Sequence, residues 1–289
     1  MPQGHSAVPQ FHTYRKTEKK MVKYTISGFA DEMYDDFEQQ LRGHKSLGLN
    51  RIDLRRINGK NISELSGAEV AETFRLLHVY KIRPYSIGSP IGKISLDCDL
   101  EEHYELARRI FHMAHVLGAK YVRVFSFYPR EGKEFDRHDR DVIAAFLKRL
   151  AETARFYRIT VGLENEKGLY GESPERVREL LDLVNMEKLR CVFDMGNFVN
   201  DGHDPEKAYR LLSDYVTTFH IKDVTKAKEM VMTGQGDAKI AEILAAHYAL
   251  RDGGETFISL EPHLTDKGDR AAAYIAAADK LKNIVENIK

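Results

Sequence analysis

Only two cysteines, Cys98 and Cys191, occur in 289 residues, too few to imply a disulfide framework. Cys191 lies inside an apolar run, where it reads as a small core residue. Charge of one sign is also missing, since Lys plus Arg number 44 and Asp plus Glu number 44. Binders of phosphate backbones usually carry a basic surplus, so nucleic acid is a poor first choice of partner. No stretch approaches the ~18 consecutive apolar residues of a membrane span. The first 22 residues are basic and hold no apolar segment of the kind a secretory signal needs. These absences point to a reducing cytoplasm, with residues 1–22 expected as a mobile leader. Nor is there a Gly-rich turn after the first strand, where the chain reads Ser27-Gly28-Phe29-Ala30; an open dinucleotide-binding sheet would be expected to show one.

What the chain does have is repetition. From Lys23 onward one unit recurs: apolar strand, loop, amphipathic helix. The expected strands are Tyr24–Phe29, Asn50–Leu54, Arg83–Ile87, Lys120–Phe125, Thr160–Glu164, Arg190–Asp194, Thr217–His220 and Phe257–Glu261. The helices between them carry signals such as Leu106, Ile110, Met113 and Leu117 before Gly118, or Ser173-Pro174 as N-cap and first helical residue. Crossovers of this length force parallel pairing, and eight parallel strands close into a ring. The expectation is an α/β protein, a single-domain (β/α)8 TIM barrel over residues 23–289, of ordinary globular composition at 43% hydrophobic.

The last four strands share one feature: each ends in a potential metal ligand, namely Glu164, Asp194, His220 and Glu261. Their separations are 30 (194 − 164), 26 (220 − 194) and 41 (261 − 220), which suits one ligand per strand-helix unit. A single strand-end carboxylate is more often a helix cap, and a lone His on an apolar strand is more often a core residue. Four in succession, at the face where barrel enzymes place their chemistry, point to one divalent-cation site. One imidazole among three carboxylates shifts the choice of ion toward Mn²⁺, Co²⁺ or Zn²⁺, with Mg²⁺ as the hard-ligand alternative.

Taken together, Gly28-Phe-Ala-Asp-Glu32, Gly88-Ser-Pro-Ile-Gly92, Gly162-Leu-Glu-Asn-Glu166, Phe193-Asp-Met-Gly-Asn197, Phe219-His-Ile-Lys-Asp223, Gly234-Gln-Gly-Asp237 and Ser259-Leu-Glu-Pro-His-Leu264 resemble the sugar phosphate isomerase/epimerase family with the xylose-isomerase-like barrel. The resemblance covers essentially all of residues 23–289. It implies that Glu164, Asp194, His220 and Glu261 hold Mn²⁺ or a similar ion, as their counterparts do in ketose epimerases. Many relatives have a substrate-contacting His three residues after the strand-six Asp; this chain departs from that pattern with Asn197.

The chemistry that fits is proton abstraction beside a carbonyl through a metal-stabilised enediolate. Glu164 and Glu261, flanking the ion, are expected as acid and base, with Asp194 and His220 as anchors. Lys222, His263 and Glu166 each lie two residues beyond a ligand and share its face, so with Asn197 and Arg55 they are the candidate substrate contacts. Lys93 in the third loop is a further charged candidate, and Phe29, Tyr85 and Phe125 are candidates for an apolar wall against a sugar ring.

The expected function is thus a metal-dependent isomerase or epimerase of a keto sugar or related polyol. The nearest alternative uses the same enolisation to expel a leaving group, as in inosose dehydratases or the barrel subunit of 3-oxo-C-glycoside deglycosidases, which works with a small partner subunit. A homo-oligomer is the other assembly considered. An apurinic-site endonuclease on this barrel would need several metals with many His ligands and a basic groove, and neither is evident.

Overall fold

In the computed structural model the described residues are 21–266 and 268–288. Most of the expected leader therefore falls outside the described residues. Val22, assigned to it, is buried just ahead of the first strand.

Eight parallel strands form the sheet: Lys23–Gly28, Arg51–Leu54, Arg83–Gly88, Tyr121–Val124, Thr160–Glu164, Leu189–Asp194, Val216–Ile221 and Glu255–Leu260. Each pairs with its sequence neighbour from the second strand onward, and the eighth pairs back onto the first. The ring is completed where the first strand lies against the second. This is the expected TIM barrel, and no helix among the described residues is long and apolar enough to cross a membrane.

Helices form where apolar residues recur every three or four positions behind a capping side chain. In Arg137–Tyr157, Ile143, Phe146, Leu147, Leu150, Ala151 and Ala154 are buried against the sheet, and Asp136 with Asp139 closes a capping box. That box fixes the start of the helix at Arg137. Ser173 caps Pro174–Val184 through the Arg176 N–H, as its sequence implied. A short helix, Met195–Asn200, was not anticipated; it follows the sixth strand directly because Asp194 is both last strand residue and N-cap.

Inside the barrel the strand period of two sorts side chains into layers. The lowest holds Tyr85, Tyr121 and Val192, with Phe257 packed on them. Above it is a polar layer in which Ser86 donates to Asp53 at 2.6 Å. Burial pushes the Asp53 carboxyl up from its ordinary value, opposed by nearby serine hydroxyls. The top layer holds Glu164, Asp194, His220 and Glu261. Gly162 makes room for the lowest layer, since a Cβ there would stand 2.2 Å from the Tyr121 ring. Gly162→Ala is accordingly expected to cost about 1–3 kcal/mol through overpacking. Thermal melting would show it, and an unchanged midpoint would contradict the layer packing.

Candidate metal centre

Glu164, Asp194, His220 and Glu261 all project inward at the carboxyl ends of their strands, and all are buried. One ligand atom from each lies within 4.8 Å of the others, close enough to share an ion after small side-chain rotations. His220 Nδ1 is 2.9 Å from Glu164 Oε1 and 3.1 Å from Glu261 Oε2, so both carboxylates converge on one nitrogen of the imidazole.

Each carboxylate is oriented by other groups. Asn165 donates its amide to the Asp194 carbonyl and accepts the Asp194 N–H, both at 2.9 Å, tying the fifth strand to the sixth. Asp194 Oδ1 accepts the Asn197 N–H at 2.8 Å. Glu164 Oε2 takes a hydrogen bond from buried Arg123, and Glu261 Oε1 takes one from Arg55 at 2.6 Å and lies 3.0 Å from His263 Nε2. Asp194 Oδ2 and Glu261 Oε2 are buried without a hydrogen bond, although Lys222 Nζ and His220 Nδ1 lie near them. Unpaired buried carboxylate oxygens facing an imidazole are what a cation site would leave exposed to its ion, so the donor set fits a divalent metal.

The electrostatics reflect this crowding. Burial opposes the charge on Glu164, but His220 and Arg123 outweigh it and hold the carboxyl at about 2. Burial likewise opposes a charge on His220, yet Glu164 and Glu261 together raise it to about 10. Asp194 is pushed up to about 6 by burial, with Lys222 pulling the other way. Glu261 lies well below the usual carboxylate range because His220, His263 and Arg55 overcome its burial.

The other candidates sort themselves by contact. Lys222 is buried with Nζ 3.0 Å from Asp194 Oδ2. Arg55 joins Asp31, Glu32 and Glu261. His263, whose side chain is 39% exposed, stands over Glu261 in a left-handed backbone conformation at φ 53, with its N–H given to Glu32. Asn197 is buried and donates its amide to the Asn165 carbonyl at 2.8 Å, bracing the site. Glu166 pairs with Lys93 at 2.8 Å on the rim. Phe29 and Phe125 do reach the mouth, where Arg55 lies 4.7 Å above the first ring and Arg123 4.3 Å above the second. Tyr85 does not: it stacks on Phe257 at 3.6 Å in the lowest layer, below the polar layer of Asp53 and Ser86.

Arg123 is absent from the motifs read in the sequence, and Glu32, Asn165 and Asp223 stand there only as motif members without a role. Arg123 had a signal, a lone charge in the buried run Tyr121-Val-Arg-Val124, which demands a buried partner. Asp223 accepts N–H groups from Val224, Gly234, Gly236 and Ala238 and so folds the loop after the seventh strand back onto itself.

Asp201, just past the short helix, has both carboxylate oxygens buried and without hydrogen bonds. Burial, reinforced by Glu172 and opposed by Lys167, raises its carboxyl from 3.8 to about 7. A raised carboxyl favours folding while protonated, so this contribution is lost as pH climbs from about 4 to 7. Asp201→Asn should therefore stabilise the protein at pH 8 by about 1–2 kcal/mol, discounted for partial exposure, and by much less at pH 5. Urea unfolding at the two pH values would check this; an equal effect at both would contradict it.

The chain belongs to the xylose isomerase-like TIM barrel family, whose model matches residues 44–284. Among individual proteins it is similar to the uncharacterized protein YihM of Escherichia coli K12, with 25% identity over 271 residues, 87% of this chain and 76% of that protein. Its fold is also that of a xylose isomerase-like TIM barrel protein from Mycobacterium smegmatis solved in complex with magnesium (18% identity, TM-score 0.71, covering 93% of this chain and 96% of the other). A D-allulose 3-epimerase from Methylomonas sp. is equally close in fold, with 19% identity and a TM-score of 0.71 over 92% of this chain and 98% of the other.

Proposed function

We propose that the protein is a divalent-metal-dependent isomerase or epimerase of a keto sugar or related polyol, with Glu164, Asp194, His220 and Glu261 as ligands and Mn²⁺ as the favoured ion. The observation that carries this reading is the convergence of Glu164 and Glu261, from two different strand ends, on one nitrogen of His220, at 2.9 Å and 3.1 Å. Two carboxylates that reach one centre from different strands can divide the work of taking a proton from a carbon and returning it. A bound divalent cation would polarise the carbonyl and stabilise the negative charge that develops as the proton leaves.

The remaining roles follow from contact. Arg55 and His263 hold the outer oxygen of Glu261 and line a cavity of about 610 Å³ together with Asp31, Glu32 and Arg270. That volume lies within the usual range for small-molecule sites and gives a polyhydroxyl substrate both donors and acceptors. His263, partly exposed, links Glu261 to the cavity and is the route by which a proton would pass to solvent. The likeness to a D-allulose 3-epimerase and to a protein solved with magnesium supports metal-assisted sugar chemistry.

The test is incubation of the purified protein with Mn²⁺ and a panel of keto sugars in deuterated water, read by mass spectrometry. Deuterium beside the keto group, with an isomeric product, is expected. An unsaturated elimination product would favour the lyase alternative, and activity on an oxidised glycoside only with a co-expressed small subunit would favour the deglycosidase. Absence of any exchange by metal-loaded protein would overturn the assignment.

A further inference from the structure

The three carboxylates of the centre are not held alike. Glu164 gives one oxygen, Oε2, to Arg123 and turns the other toward His220. Glu261 does the same, with Oε1 on Arg55 and Oε2 facing His220. In both, the arginine takes one oxygen and the other faces the His220 imidazole. Asp194 is reversed. Its Oδ1 is already used by the Asn197 N–H, so the cation beside it, Lys222, stands 3.0 Å from the remaining oxygen, Oδ2. That oxygen has no hydrogen bond, so the contact is one of charge.

Resting on the metal-centre reading above, we propose that Lys222 is a built-in competitor of the metal: its ammonium contends with the divalent ion for Asp194 Oδ2 and weakens ion binding. A purely orienting role is redundant, because Asp194 is already fixed through its main chain by Asn165 and through Oδ1 by Asn197. The stem of Lys222 has little freedom to retreat. Gly196 packs so closely that a Cβ there would lie 2.6 Å from Lys222 Cγ, so only the end of the side chain can swing. A cation and an ion sharing one buried oxygen repel each other in surroundings that screen poorly, and removing the lysine relieves that repulsion while leaving Asp194 short of a counter-ion until metal arrives. Both effects act in the same direction, toward tighter binding.

The experiment is calorimetric titration of chelator-stripped protein with Mn²⁺, for wild type, Lys222→Met and Lys222→Arg, with melting temperatures recorded before and after metal. Lys222→Met is expected to bind Mn²⁺ at least tenfold more tightly than wild type. It should also melt lower without metal and gain more on its addition. Lys222→Arg keeps the charge and should stay within about threefold of wild type. Should Lys222→Met fail to fold, Lys222→Gln takes its place. A wild type that binds Mn²⁺ with a folded Lys222→Met or Lys222→Gln of equal or weaker affinity overturns the competition alone. Failure of every variant to bind removes the metal-centre reading itself, and with it this inference. Binding by Lys222→Met but not by wild type would be the strongest form of the expected result.

Discussion

Glu164→Gln is expected to cut exchange of the substrate's carbon-bound hydrogen with solvent by at least about a thousandfold, the scale of a lost general base. The amide has the shape of the carboxylate but cannot accept the proton, and it is a poorer ligand. Glu164 touches the two groups the reaction depends on, His220 through Oε1 and Arg123 through Oε2. Loss of catalysis by misfolding is a different outcome, and circular dichroism with Mn²⁺ titration separates the two. A folded, metal-bound Glu164→Gln that exchanges hydrogen as fast as wild type would remove Glu164 from the base role. The same substitution at Glu261 distinguishes one face of the carbon from the other: an epimerase using both carboxylates should keep exchange from one side and lose net inversion.

The second large effect is on stability. Arg123→Met should destabilise the metal-free protein by about 3 kcal/mol, the low end for breaking a buried pair, since it leaves His220 as the remaining cation beside the buried Glu164 carboxylate. The pair is shut away from solvent and braced by the Phe125 ring 4.3 Å beneath the guanidinium. The pH dependence follows from Glu164, whose carboxyl is held at about 2 against an ordinary 4.5. A lowered carboxyl stabilises the fold above about pH 4.5 and loses that contribution as pH falls toward 2. The gap between wild type and Arg123→Met should therefore be full at pH 7 and narrow below about pH 4.5. Saturating Mn²⁺ should close part of it at neutral pH, because an ion replaces the missing positive charge. Equal unfolding free energies in urea at pH 7 would show that the pair does not carry the stability assigned to it.

Much of this was legible in the sequence because barrel strands announce themselves twice. Thr160-Val-Gly-Leu-Glu164 and its three successors are apolar runs of strand length, and each stops at a polar residue whose direction is fixed by the period of two. Glu261 shows the limit: the eighth strand ends at Leu260, yet one more extended residue still points the side chain inward. The short helix after Asp194 was missed since its only signal is the cap itself. The roles of Arg123 and Glu32 were missed for another reason. Which cation neutralises which carboxylate depends on strand neighbours, and that is a property of the closed ring: Glu32 and His263 meet although 231 residues separate them. Tyr85 erred in depth, because a residue's height in the barrel depends on strand stagger, which local composition does not carry.

The centre itself is tested most directly by counting its ion. Electron paramagnetic resonance of free Mn²⁺, titrated into chelator-stripped wild type and into Asp194→Asn, measures both the number of ions bound and their affinity. One ion per chain in the wild type, with binding weakened at least about a hundredfold in Asp194→Asn, is the expected result. No bound ion in the wild type, or one bound equally well without the Asp194 carboxylate, would contradict a cation held jointly by the ends of four strands.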